Sequence, residues 1–221
     1  IKIIGYRLKR LLYTNTQDKL FILLFPSFIM EFDQVIKKRR SIKEFKSKKA
    51  SWKLVLEAID TALQGPFAGN HNFLKFLITE DPETIKFIAH KCDQIWISQV
   101  ETLVLVLSDD KHLENIYGER GRVYSRQQAG AAIQTMLLKL VDLGLSSCWI
   151  GSYDDDSIKS KLKIPKDIQI EAILPIGYED TKKSSERKPK KALDVVLFWE
   201  IWNQRRRPSI FEEGVEDYRP Q

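Results

Sequence analysis

A chain of 221 residues with 43% hydrophobic side chains is long enough to bury one substantial core, so a single domain is the expectation. Two cysteines, Cys92 and Cys148, cannot build a disulfide framework, which fits a reducing, cytoplasmic setting, and the widely spaced His71, His90 and His112 make no four-ligand set, so no metal is predicted. The net charge of +6 is concentrated: residues 1–29 hold five basic side chains and one acid, so of the 36 basic and 30 acidic residues in the whole chain the remainder keeps 31 and 29, or +2. That near-neutral remainder argues against a general polyanion-binding face.

Residues 1–19 are basic, and Leu20 to Ile29 form an apolar run interrupted by Pro26. Ten residues are too few to span a bilayer, so no membrane anchor is expected. Met30 is the expected native start, with residues 1–29 an extension outside the native domain; the competing reading is a helix or strand packed on the domain. Residues 30–221 then form one domain with a C-terminal tail. From Met30 to Arg40, Phe32, Val35 and Ile36 fall at helical spacing. Ser51 is a candidate cap for a helix over Trp52–Leu63, which must end near Gly65-Pro66. Phe73–Thr79 suits a buried strand, Pro82 opens a helix to about Lys91, and Thr102–Leu107 is the clearest strand. Ser108–Arg122 reads as a polar connector. A long helix rich in small residues follows over Val123–Leu143 and stops at Gly144. Leu145–Ile150 reads as a strand, Asp155–Leu162 as a short helix and Ile168–Ile176 as a strand, followed by a polar loop to Lys191, an apolar segment Val195–Trp202 and a charged tail. Strands alternating with helices predict a sheet covered by helices.

Three separated segments carry chemistry. Arg39-Arg40-Ser41-Ile42-Lys43 sets cations and a hydroxyl at a helix end, where extended backbone would point alternate side chains the same way, toward a phosphate and an electron-rich ring edge. A solvated basic helix end is the competing reading for this segment alone. Gly65-Pro66-Phe67-Ala68-Gly69-Asn70 is a turn that lets backbone approach a ligand and ends in an amide. Gly144 to Gly151 runs from a helix cap through Cys148 and Ile150 to a glycine whose bare N–H can face a ring nitrogen.

Taken together, the segments RRSIKEF, GPFAGN, GLSSCWIG and LPIGY, in this order and at these separations, resemble the nitroreductase family over about Met30 to Trp202. The resemblance implies an α+β fold with a mostly antiparallel central sheet, an intertwined homodimer with two FMN molecules at its interface, and hydride transfer from NAD(P)H through flavin to a nitroaromatic, quinone or similar small-molecule acceptor. By motif, Arg39, Arg40 and Ser41 would hold the FMN phosphate and ribityl chain. Lys43 would face the pyrimidine edge, where a cation favours the negative charge of reduced flavin. Pro66, Phe67, Ala68, Asn70 and Asn72 would line the ring, Ile150 and Gly151 would meet it near its central nitrogen, and Lys190 with Lys191 would complete the phosphate site, with Arg187 and Lys188 competing for that role. The chain departs from the family pattern at Phe67, usually serine, at Asn72-Phe73-Leu74, often Gln-Pro-Trp, and at Gln128, often acidic. These departures bear on acceptor choice more than on flavin binding.

No side chain need act as acid or base in such an enzyme. Cys148 is expected to be a buried core thiol, and His71 either lines the acceptor pocket or faces solvent. Two alternatives stand beside this reading: a flavin-dependent reductase or dehalogenase for a dedicated metabolite, and a nucleic-acid-binding protein using the basic N-terminus and Arg205-Arg206-Arg207. The acids Glu212, Glu213, Glu216 and Asp217 close behind weigh against the latter, so no nucleic-acid partner is expected.

Overall fold

The computed structural model describes residues 30–183 and 192–207; residues 1–29 lie outside them. The described residues belong to two units, the first ending at Ser184 and the second starting at Ser185. In the first, α1 (Phe32–Lys38), α2 (Trp52–Ala62), β1 (Leu74–Thr79), α3 (Pro82–Lys91), β2 (Thr102–Asp109), α4 (Asp110–Tyr117), α5 (Arg120–Asp142), β3 (Ser146–Ser147), α6 (Asp155–Leu162) and β4 (Ile168–Gly177) follow in order. The strands form an antiparallel sheet in the order β1-β2-β4-β3.

Period-two alternation along β2 decides the layering. Leu103, Leu105 and Leu107 enter one buried cluster with Ile85 and Ile88 of α3 and Ile158 of α6. Val104 and Val106 enter another, with Val55 and Ala58 of α2 and Ala129, Ala132, Ile133 and Met136 of α5. Both faces of β2 are therefore covered, which explains its continuous apolar reading. The small residues Ala129 and Ala132 let α5 settle close to the sheet.

Register shifts where Val106 pairs with Ala172 and Leu107 with Ile170, leaving Glu171 without an opposite residue. This bulge re-aims the Glu171 carboxylate. It meets Arg126 and Ser108, while Arg126 also pairs with Asp110, and the Ser125 hydroxyl donates to Asp110 over 2.6 Å. The knot ties β2, α4, α5 and β4 together.

Most predicted elements stand within a residue or two of expectation. The exception is the connector over Ser108–Arg122: β2 continues to Asp109, α4 occupies Asp110–Tyr117, and α5 begins at Arg120. In α4 the apolar Leu113, Ile116 and Tyr117 fall at helical spacing, but over only eight residues among polar neighbours, and only Asp110 and Leu113 are buried. Gly118, at φ +60°, separates the two helices, and a Cβ on Gly121 would strike the backbone of Leu113 and Glu114. Glycine at position 121 is what lets α4 and α5 touch. The strand expected over Leu145–Ile150 is also shorter, with β3 covering two residues and Ile150 returning to a bridge with Ile173. In the second unit, α7 (Leu193–Val196) is one short turn, and Ile201 and Trp202 are exposed.

Candidate active site

Residues 39–43 run beside β3. Ser41 bridges Ser147 in parallel, the Ile42 N–H donates to the Ser147 carbonyl over 3.1 Å, and the Lys46 N–H donates to the Tyr178 carbonyl over 2.8 Å. Three of the motifs read in the sequence are thereby joined. Extended backbone sends alternate side chains to opposite sides. On one side Ile42 is buried and Arg40 is ion-paired with Glu179; the other row is Arg39, Ser41 and Lys43. That row converges on Cys148. Burial pushes the Cys148 thiol up, against the hydrogen bond from Ser41 and the positive charges of Lys43 and Arg39.

Beside this row the Ser147 hydroxyl is buried and has no hydrogen-bond partner among the described residues. Such a group costs free energy unless a partner arrives. Further on, Ile150 is buried and paired with Ile173 through two backbone hydrogen bonds of 3.0 and 3.1 Å, whereas Gly151 is exposed, with open space where a Cβ would stand. Cations and hydroxyls beside Ser147, with a bare glycine four residues further along the chain, fit an anionic group that continues into a flat ring.

The GPFAGN turn is elsewhere. It is a single 3-10 turn, Ala68–Asn70, with Gly69 at φ +56° and Asn70 at φ +62°. It borders a cleft of about 490 Å³ lined by Pro66, Phe67, Tyr117, Tyr124, Gln127 and Gln128, among others. No hydrogen bond, ion pair or ring contact among the described residues joins this turn to residues 39–45. Asn72 is engaged locally, its Oδ1 accepting from the Leu74 N–H over 3.0 Å at the start of β1. His71 is exposed and its ring stacks on Phe73, which stacks in turn on His112. Lys190 and Lys191, with Arg187 and Lys188, lie outside the described residues.

Tyr117 and Tyr124, whose rings meet edge to face at 5.2 Å, were not legible as site residues, because the stretch between them reads as a connector. Their seven-residue separation is the signal that was there, masked by Gly118 and Gly121. Ser147 and Glu179 carried no signal beyond their neighbours.

Both cysteines are buried, and burial pushes the Cys92 thiol up to about 11. At pH 8 the native protein is expected to resist alkylation by iodoacetamide and to take up two equivalents once unfolded. A rapid one-equivalent phase in the native protein would show instead that the cations beside Cys148 win. No group of three or more ligating side chains among the described residues could hold a metal, and no described helix is long and apolar enough to cross a membrane.

Comparison with known proteins places residues 88–178 on the model of the nitroreductase family. The chain is 24% identical over 163 residues to an iodotyrosine deiodinase of Thermotoga neapolitana, covering 66% of this chain and 88% of that protein. It is 26% identical over 153 residues to a protein of Methanothermobacter thermautotrophicus described as an NADH dehydrogenase/NAD(P)H nitroreductase, covering 67% and 78%. In fold it is similar to a crystal structure of oxidized iodotyrosine deiodinase bound to FMN and 3-iodo-L-tyrosine, with a TM-score of 0.64 at 21% identity over 74% of this chain and 96% of that one.

Proposed function

Because the chain belongs to the nitroreductase family and is an oxidoreductase of that family, we propose that it is a homodimeric FMN enzyme passing two electrons from NAD(P)H to a small-molecule acceptor such as a nitroaromatic or a quinone, in two half-reactions that share one pocket. The observation that carries this reading is the row Arg39, Ser41 and Lys43 laid along the strand that leads to Gly151. FMN, when bound, supplies the two-electron chemistry. Arg39 and Ser41 hold its phosphate and ribityl chain, joined by the unpartnered Ser147 hydroxyl. Lys43 sets a fixed cation at the pyrimidine edge and favours the more negative, reduced state. The Gly151 N–H donates to the ring, and the missing side chain lets the ring lie against backbone.

The GPFAGN turn completes the site from a second copy of the chain, which accounts for its separation from the cationic row within one copy. The exposed Phe32, Trp52 and Leu56 of α1 and α2, at 67%, 58% and 44% accessibility, are the surface such a pairing would cover. Residues 195–207 are the described part of a segment that would reach over the partner as well. Its Trp202 is 80% exposed.

The test is optical and hydrodynamic. Purified protein should show a flavin spectrum that bleaches anaerobically on adding NADH or NADPH, and should sediment as a dimer. A folded chain that stays colourless and monomeric with excess FMN sinks the proposal. Lys43→Ala is expected to weaken FMN binding about tenfold or make its midpoint potential more negative, read by fluorescence titration and dye-coupled potentiometry. A dedicated reductive dehalogenase is the second reading, favoured by the deiodinase relative. Anaerobic turnover with halogenated phenols, nitro compounds and quinones separates the two.

A further inference from the structure

The GPFAGN turn is held from outside its own sequence. Two successive residues, Gly69 and Asn70, adopt left-handed backbone angles, which these two residue types tolerate better than others do. The residue at its N-terminal end, Phe67, offers no side-chain cap. Two of its amides are satisfied within it, Asn70 N–H donating to the Phe67 carbonyl over 2.9 Å and His71 N–H to the Ala68 carbonyl over 3.0 Å. The Ala68 N–H is not. Its acceptor is the Oε1 of Gln128, 3.3 Å away and sixty residues later in the chain.

Gln128 is 4% exposed and projects from the third turn of α5, a helix anchored in the core by Ala129, Ala132 and Ile133. On the other flank, Tyr117 of α4 presses its hydroxyl against Gly69, leaving no room for a Cβ there. The turn is therefore gripped between an acceptor on a rigid helix and a ring on its neighbour. Gln128 and Tyr117 both line the same cleft.

We infer that Gln128 is the positioning residue of the active site: by accepting from the Ala68 N–H, it holds the Pro66–Asn70 backbone in the shape that meets the flavin. The part of this inference that concerns flavin rests on the reading proposed above. The Ala68 hydrogen bond does not. A glutamine suits the task because its amide oxygen accepts without bringing a charge into a buried place. Removing it leaves a half-buried N–H without a partner and frees the turn to shift.

The test uses the full chain and three forms: native, Gln128→Met, which keeps the volume and deletes the acceptor, and Gln128→Glu, which keeps an acceptor oxygen. Amide hydrogen exchange at Ala68 and FMN affinity by fluorescence titration are measured on each, with the thermal midpoint as a control for general destabilisation. Gln128→Met is expected to speed Ala68 exchange and to weaken FMN binding, each about tenfold, the loss of roughly one hydrogen bond. Gln128→Glu, which keeps the oxygen but brings a charge into this buried place, should recover Ala68 protection in part while lowering the thermal midpoint. Unchanged Ala68 exchange in Gln128→Met overturns the inference, as does faster exchange with unchanged FMN affinity, or a Gln128→Glu protein that behaves as Gln128→Met. A native protein that binds no FMN removes the flavin reading, and Ala68 exchange then decides the role of Gln128 alone.

Discussion

Arg39→Ala is expected to weaken FMN binding about hundredfold, whereas Arg40→Ala should change it by less than about fivefold. The difference follows from what each guanidinium already holds. Arg40 is tied to Glu179 at the end of β4 and has its charge largely matched within the protein. Arg39 is half-buried on the opposite side of the extended segment, beside Ser41 and the Cys148 thiol, with no carboxylate paired to it among the described residues. A phosphate arriving there gains charge-assisted, two-pronged hydrogen bonds, and deleting them costs about 3 kcal/mol, or two powers of ten. Two further signatures should accompany the loss. Native affinity should fall as ionic strength rises, and should fall again below about pH 6 as an alkyl phosphate gives up its second charge. Both dependences should flatten in Arg39→Ala. Equal losses in Arg39→Ala and Arg40→Ala would mean that the Glu179 pair opens to the ligand and that both cations bind it.

The sheet and most helices were legible because their apolar positions repeat with the right period: Leu103, Leu105 and Leu107 against Val104 and Val106, or Val55, Ala58 and Ala62 along α2. What was not legible had an apolar face too short to stand out. Helix α4 is held by Leu113, by the buried Asp110 and by glycine-mediated backbone contact, and neither an ion pair nor a close approach leaves a pattern in one sequence. The same limit applies to the site. Arg39, Ser41 and Lys43 could be placed on one face by counting alternate residues, since their extended backbone depends only on local geometry. That Arg40 would be taken by Glu179, or that Gln128 would reach Ala68, depends on contacts between residues 139 and 60 apart in the chain. Motif order carried the family; side-chain roles within a motif needed the packing.

Arg126→Met is expected to be the most damaging substitution for the fold, lowering unfolding free energy by about 3 kcal/mol in urea titration. Arg126 is 43% exposed, but its partners are not: Asp110 and Glu171 keep 11% and 9% of their side-chain surface. Without the guanidinium, two largely buried carboxylates stand together around Ser108 and Ser125, whose hydroxyls can offset only part of the charge. The cost is that of stranding the acids rather than of losing a surface ion pair, which would be worth well under 1 kcal/mol. The two origins are separable. If stranded charge is the cause, adding Asp110→Asn and Glu171→Gln to Arg126→Met should recover most of the loss, giving a large coupling energy in the mutant cycle. If lost packing of the arginine stem is the cause, those changes should bring no recovery. The same variant reports on the active site, because Arg126 lies two residues before Gln128 on α5. Loosening the start of that helix should release the Ala68 turn, so flavin affinity should fall with stability in Arg126→Met and return with it in the triple variant.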